Sequence, residues 1–597
     1  MTTLINPRHL AFVLWDVLRA HELFDLPAFA QHDRQSAEAM LETAEQLARE
    51  QFLPSYGKLD ANEPRIENGR VVMPGDIGEA LDAFRQAGFL AMTADAKAGG
   101  LGLPRTIANA AFLWFQAANV SIANYAMLTM SAAELLDQHG TPEQKQRWMA
   151  PMLEGRFLGT MALSEPHAGS SLGDITTAAR PLADGRYALT GTKMWISGGE
   201  HDMAENIVHL MLARIDGAPK GVRGISLFVV PRKRLDEAGR PVEWNNIALA
   251  GLNHKMGQRG TVNTVLNVGE GGDTIGELVG RPGGGLACMF TMMNEARIGV
   301  SMGAVAHASA GYRHSLAYAR ERLQGRHADA KDPASPQIAL IAHADVRRMV
   351  LQQKAAAEGG IALALYVARL ADMKTAAATS AERKDAALLL DYLTPVFKAW
   401  MSEEALIANS NAIQVLGGAG YTRDHPVEQY YRDNRLNPIH EGTNGIQAID
   451  LLGRKAVMEG GRGTALFQVE VARVVAETRN TKLAHIGAVL EEIAQRLETS
   501  TSRLEIRKTE DGSTAQLAFA ADYMEAMGVV VFVWIWLRQA MVAYRAHEAG
   551  AKTELHLGIM MTCSWVCEMY PPRAHAAFHR LREGNLIFDV VPDKAFD

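Results

Sequence analysis

"QVLGGAGYTRDHPVEQYYRDNRLNPIHEGTNGIQ", residues 414–447, ends in "NPIHEGTNGIQ" (437–447), which holds one glutamate, Glu441, between a histidine and a glycine, where an irregular stretch gives way to a helix. An acid before a Gly-Thr-Asn turn ordinarily does no more than favour the positive start of the following helix. Two other segments change the reading. "MALSEPHAGSS" (161–171) sets a hydroxyl, Ser164, before Glu-Pro and a Gly-Ser-Ser turn, whose backbone N–H groups and hydroxyls suit an anion. "GTKMWISGG" (191–199) places Trp195 and Ser197 two apart, hence on one face of a regular strand, with an aromatic plane beside a hydroxyl. A flat heterocycle can use both, although a tryptophan so placed more often serves a core.

The chain has 597 residues, too many for one core, since single cores stop growing at roughly 250–300 residues. It is 48% hydrophobic and 21% charged, with a formal charge of −7, a composition that argues against general affinity for nucleic acid. Three cysteines, Cys288, Cys563 and Cys567, make no disulfide framework, and no metal-ligand cluster is expected. The opening "MTTLINPRHLAFVLWDVLRAHELF" has no basic segment ahead of an unbroken apolar run, so the expected compartment is the cytoplasm. "AMGVVVFVWIWL" (526–537) is short of the roughly 20 residues that span a bilayer and reads as a buried helix. Peripheral membrane contact is the lesser alternative.

Helical periodicity runs through 36–50, 77–90 and 105–138, with "LPSYGKLDANEPRIENGRVVMPGD" (53–76) expected as a long surface excursion. From about 159 the pattern turns to short β-branched runs, "RYALTGTKMWIS", "NIVHLMLARI", "GISLFVVP" and "NTVLNV". The glycine-dense "GEGGDTIGELVGRPGGG" (269–285) lacks the Lys-Ser/Thr of a phosphate cradle and is read as a flexible connection. Ala-rich helices then continue to about 458, a polar break, "EGGRGT", lies at 459–464, and another helical block follows. The expected organisation is an N-terminal helical extension (1–35), an α domain (36–158), a β domain (159–283), a helical domain (284–460) and a C-terminal helical domain (461–597). The fold class is mainly α with a central β domain.

In this combination and order the three motifs resemble the acyl-CoA dehydrogenase family of flavoenzymes, over roughly residues 40–458. The extra helices at both ends resemble the large subgroup that contains 3-methylmercaptopropionyl-CoA dehydrogenases and some bacterial fatty acyl-CoA dehydrogenases. The resemblance implies an α domain, a β-barrel domain and a four-helix domain, FAD as cofactor, an acyl-CoA substrate, electron-transfer flavoprotein as electron acceptor, and a homodimer. It also implies roles. Ser164 replaces a threonine that meets the flavin pyrimidine edge, with Met161 and Leu163 giving backbone contacts; Ser170 lies near phosphates; Trp195 lies against the flavin and Ser197 meets N5. Arg322 reaches FAD on the neighbouring subunit, Gln414 and Gly418 lie near its adenine half, and Thr443 approaches the pyrophosphate. Substrate contacts are implied at Ser170, Arg297 and Gly442.

By the same resemblance Glu441 is the base that takes the proton α to the thioester carbonyl, while the β-hydrogen leaves as hydride to the flavin. Enclosure raises a carboxylate's affinity for protons, and hydrogen bonds to the thioester oxygen, from the Glu441 N–H and a ribityl hydroxyl in the family, stabilise the enolate-like charge. Some relatives carry the base on the helix that begins near "MNEARIG"; the matching position is Ala296, with Glu295 one residue away and Arg297 placed to tune the base. Two departures stand out: Leu323-Gln324-Gly325-Arg326 where the family has Lys-Thr-Phe-Gly, and Asn444-Gly445 where Ser-Gln is common. A fatty acyl-CoA dehydrogenase is the expected activity. The rivals are a 3-methylmercaptopropionyl-CoA dehydrogenase, an acyl-CoA oxidase and a nucleic-acid-binding flavoprotein; the balanced charge after residue 465 disfavours the last.

Overall fold

The computed structural model describes residues 3–584 and 591–597. Its contacts divide the chain into two compact units, Gln35–Gly299 and a discontinuous one that joins Met1–Arg34 to Val300–Asp597.

In the first unit, the apolar run of 105–138 forms one helix, Arg105–His139, interrupted in its backbone dihedrals at Asn119. The 53–76 segment is more ordered than an excursion: it folds as a short helix, Tyr56–Ala61, and a hairpin of β1 (Arg65–Glu67) and β2 (Arg70–Val72). Buried Tyr56 and Leu59 hold the helix in place, and no composition rule reports that anchoring.

The β region contains β3 (Phe157–Ala162), β4 (Ala178–Pro181), β5 (Tyr187–Ser197), β6 (Asn206–Ile215), β7 (Ile225–Pro231), β8 (Lys233–Leu235), β9 (Pro241–Trp244), β10 (Ile247–Leu252), β11 (Asn263–Val268) and β12 (Thr274–Val279). Five strands close on themselves in the order β5, β12, β7, β6, β4 and back to β5, which makes a barrel. Strand β3 pairs parallel to β6, and β11 with β10 extends from β5. Val208, Leu210 and Leu212 of β6 join a core shared with Leu128, Ala132 and Leu136 of the long helix. The alternate residues Met211 and Ala213 fill a second core with Phe228, Val230 and Leu266. Both faces of β6 are covered, which is why its sequence is an unbroken apolar run and not an alternating one.

Strand β12 is a correction. Residues 274–279 sit inside the stretch read as a flexible connection, yet pair on both sides, with Tyr187–Leu189 and with Leu227–Val229. Gly276 makes that possible, because a Cβ there would meet the Leu189 side chain at 2.7 Å. The glycine marks a close approach within a strand, not slack.

The second unit is built on the helices Ala344–Ala376 and Ser380–Leu416, with Met458–Thr478, Ala484–Asp511, Ala520–Glu548, Glu554–Met569 and Pro571–Glu583 in the C-terminal block. The "EGGRGT" break survives as a left-handed interruption at Glu459, Gly460 and Gly461 inside Met458–Thr478. The N-terminal residues thread into this unit: Ser309 Oγ donates to the Leu4 carbonyl at 3.0 Å, Asn6 Nδ2 to Glu358 at 3.3 Å, and buried His9 meets Gln539 at 2.9 Å.

Among the described residues one helix, Ala520–Glu548, is long and apolar enough to cross a membrane, but 89% of its apolar window is buried within the protein. Every residue from Ala526 to Leu537 is buried, as expected of a core helix. Its small residue Gly528 lies flat on Trp400 of the Ser380–Leu416 helix, where a Cβ would come within 2.2 Å of the indole. Gly528→Val should therefore overpack this contact and destabilise the protein by about 1–3 kcal/mol, read as a lowered thermal midpoint relative to wild type.

Candidate active site

On the barrel, the two motifs are stitched together. The Met194 N–H donates to the Ser164 carbonyl at 3.0 Å, and the Lys193 ammonium donates to the Leu163 carbonyl at 3.1 Å. Between Lys193 and Ile196 strand β5 carries two residues against one on β11, so Met194–Trp195 is a bulge. Trp195 takes a left-handed backbone, φ +65°, and leaves its side chain 58% exposed. The regular alternation expected for Trp195 and Ser197 does not hold, because the bulge re-aims the indole. Ser197 accepts a hydrogen bond from Asn263 Nδ2 at 3.1 Å. A strained backbone that holds a large aromatic in the open is an arrangement the surrounding structure must enforce.

The enforcing group is one the motif reading passed over. Glu165, buried, accepts from the Thr176 N–H at 2.7 Å, the Thr177 N–H at 3.0 Å, both threonine hydroxyls, and Lys193 Nζ at 3.0 Å. Burial alone would raise its pKa, but Lys193, the threonine hydroxyl and the two N–H groups outweigh this and hold the carboxyl down at about 2. The available signal was the lysine itself, since an ammonium in the middle of an apolar strand needs a carboxylate. Met161 is half-buried on β3, while Ser170 is exposed beyond the Glu165–Ala168 turn. Arg297 is buried and donates to Asn294 at 3.4 Å. Neighbouring Glu295 is ion-paired to Arg105 at 2.8 Å, and Arg105 also holds Glu134.

In the other unit, Glu441 adopts φ +55° and Gly442 φ +85°, two consecutive left-handed residues. The peptides on this hinge are held from below. Buried Lys398 donates to the Gly442 carbonyl at 2.7 Å and to Asn444 Oδ1 at 3.1 Å, and Gln447 Nε2 donates to the Glu441 carbonyl at 3.0 Å. Asn444 also accepts from the Ser402 hydroxyl at 3.2 Å and donates to Glu403 at 2.7 Å. The departure from the common Ser-Gln thus has a local purpose, locking the loop to the Ser380–Leu416 helix. Thr443 caps the helix Asn444–Asp450 by accepting from the Ile446 N–H at 3.3 Å. His440 meets Asn437 Oδ1 at 3.1 Å, and burial, with the Lys398 charge, pushes its imidazole down to about 3. Gln414 and Gly418 lie exposed at the C-terminal end of the Ser380–Leu416 helix, and Arg322 lies exposed just past the Gly285–Glu321 helix.

Four family models match along the chain: the N-terminal domain of acyl-CoA dehydrogenase at 34–156, its middle domain at 160–267, its C-terminal domain at 283–456, and an acetyl-CoA dehydrogenase C-terminal-like domain at 467–588. The chain belongs to the acyl-CoA dehydrogenase family. It is 38% identical to a 3-methylmercaptopropionyl-CoA dehydrogenase of Ruegeria pomeroyi over 83% of each chain. It is 32% identical to a broad-specificity linear acyl-CoA dehydrogenase of Mycobacterium tuberculosis over 92% of this chain and 91% of the relative. The fold matches the Bacillus anthracis acyl-CoA dehydrogenase solved with FAD, at TM-score 0.74 and 20% identity over 95% of this chain and 90% of that one. It also matches ACDH-11 of Caenorhabditis elegans solved with C11-CoA, at TM-score 0.71 and 17% identity over 98% and 94%. This acyl-CoA dehydrogenase is therefore an oxidoreductase of the CH–CH bond of acyl-CoA thioesters, and FAD is its cofactor. The residues present suit a flavin: an exposed indole on a strained bulge stands in the same stitched segment as the Ser164 and Ser197 hydroxyls.

The Glu165 pKa sets a pH dependence. Because the folded value lies below the ordinary 4.5, its stabilisation is complete above about pH 4.5 and is lost as pH falls through about 2. Glu165→Gln should lose about 3–5 kcal/mol at neutral pH, having left a buried ammonium without its anion, and its thermal midpoint should fall less steeply than wild type between about pH 4.5 and 2. Melting curves across that range measure both.

Proposed function

We propose that the enzyme is a fatty acyl-CoA dehydrogenase in which Glu441 removes the α-proton, leaving the trans-2-enoyl-CoA. The observation that carries this reading is the hinge. A carboxylate-bearing residue occupies a left-handed backbone that L-residues avoid, and Lys398, Gln447 and Asn444 hold it there. The rival acid Glu295 is instead ion-paired to Arg105 at 2.8 Å, within a helix of ordinary backbone. Removal of an α-proton builds negative charge on the thioester oxygen, and the Glu441 N–H is the donor assigned to it. When bound, FAD supplies the acceptor for the hydride that leaves the β-carbon. Ser164, Leu163, Met161, Trp195 and Ser197 are the residues assigned to the flavin ring, with Ser170, Thr443, Gln414, Gly418 and a neighbouring subunit's Arg322 assigned to the rest of the dinucleotide. Ser170, Arg297 and Gly442 are assigned to the substrate.

The proposed electron acceptor is an electron-transfer flavoprotein, and the proposed assembly is a cytoplasmic homodimer. Exposed Arg322, Gln414 and Gly418, with Tyr421 at 89% exposure, offer a surface that a second copy would cover. A second substrate reading, 3-methylmercaptopropionyl-CoA, is favoured by the 38% identical relative. One methylene is worth only about 1–3 kcal/mol in an apolar pocket, so reduction rates across alkyl and thioether acyl-CoAs decide between the two.

Anaerobic mixing of the purified Glu441→Gln protein with acyl-CoA should slow flavin bleaching by roughly 10²–10⁴-fold while ligand binding persists. Bleaching at the wild-type rate would move the base to another residue.

A further inference from the structure

Upstream of the hinge, a file of buried amides runs through the second unit. Asn409 Nδ2 donates to the backbone carbonyl of His307 at 2.9 Å; Asn434 Nδ2 donates to Asn409 Oδ1 at 2.8 Å; Asn437 Nδ2 donates to Asn434 Oδ1 at 2.9 Å; and Asn437 Oδ1 meets His440 Nε2 at 3.1 Å. The three asparagines are buried. A side-chain amide has one accepting and one donating end, and a backbone carbonyl only accepts. The His307 carbonyl therefore fixes the orientation of Asn409, which fixes Asn434, which fixes Asn437. The last oxygen in the file must find a donor, and among the described residues the atom offered to it is His440 Nε2, which has to carry a hydrogen.

We propose that His440 is a positioning residue for Glu441, held by this asparagine file as the Nε2-protonated neutral imidazole. The proposal deepens the reading of Glu441 as the base and rests on it. His440 directly precedes the left-handed pair, so fixing its side chain fixes the upstream end of a hinge whose downstream end Lys398, Gln447 and Asn444 already hold. The ring's charge state matters as much as its place. An imidazolium next in the chain to Glu441 would stabilise the carboxylate and weaken it as a base. Lys398, from the Ser380–Leu416 helix, is the charged group that acts on the ring, and with burial it disfavours a second proton. The file thus decides which nitrogen is protonated, and the surroundings decide that only one is.

The test uses the full-length holoenzyme labelled with ¹⁵N-histidine, with His440→Gln identifying the resonances of residue 440. The expected result is an Nε2–H neutral ring that does not titrate between about pH 5.5 and 8; an Nδ1–H tautomer, or a titration near the ordinary histidine value, overturns the proposal. Kinetically, His440→Leu strands the Asn437 oxygen and should lower kcat roughly ten- to a hundredfold with KM near wild type, whereas His440→Gln, which keeps a donor at the same reach, should restore most of the rate. Wild-type kcat in His440→Leu alongside slow reduction in Glu441→Gln overturns the positioning role and leaves the base in place. Full-rate reduction in Glu441→Gln overturns the base, and the positioning role with it.

Discussion

A buried ammonium beneath a left-handed turn is the constraint on which the proposed chemistry depends. An L-residue in the left-handed region costs roughly 1–2 kcal/mol. Hydrogen bonds to a charged group contribute about 1.5–3 kcal/mol each, and Lys398 makes two at the hinge, to the Gly442 carbonyl and to Asn444. The strain is thus offset at the carbonyls of the hinge peptides. The proposed base is fixed in place through its backbone.

The Ser380–Leu416 helix supplies more than this lysine. Lys398, Ser402 and Glu403 contact Asn444, while Trp400 and Glu404 carry the C-terminal helices. Glu404 is buried, which raises its pKa, and Arg573 at 2.7 Å and the Tyr570 hydroxyl at 2.7 Å counter that by binding its two oxygens. Arg573 also stacks over Trp400, 4.7 Å from the ring centroid. The anchorage of the C-terminal block and the clamp on the hinge therefore lie within two turns of one helix, so a change at either is felt by the same backbone.

Much of this was legible in the sequence, because periodicity and motif order survive translation into helices and strands. The long helices, the buried course of 526–537 and the break at 459–461 follow from spacing and composition alone. What was hidden depends on tertiary partners. The bulge at Met194–Trp195 arises from pairing with β11, which no local pattern announces, and Gly276 looked like slack because its reason is the Leu189 side chain against it. Glu165 and Lys398 were passed over for a similar reason. Each is a common charged residue whose meaning comes from buried partners elsewhere in the chain, the Lys193 ammonium and threonine donors for Glu165, the Gly442 carbonyl and Asn444 for Lys398. The placement of Glu441 on a hinge was readable; its left-handed backbone was not, since a glutamate gives no warning of positive φ.

The threading of Leu4, Asn6 and His9 into the unit that holds Val300–Asp597 has a consequence for biosynthesis. These residues are translated before every partner they reach, and Gln539 comes last among those partners. At roughly 5–20 residues per second, the leading segment waits on the order of half a minute or more, while the intervening barrel unit can already fold. The apolar Phe12–Val17 segment lacks its Ala520–Glu548 partner through that interval, an opening for chaperone capture.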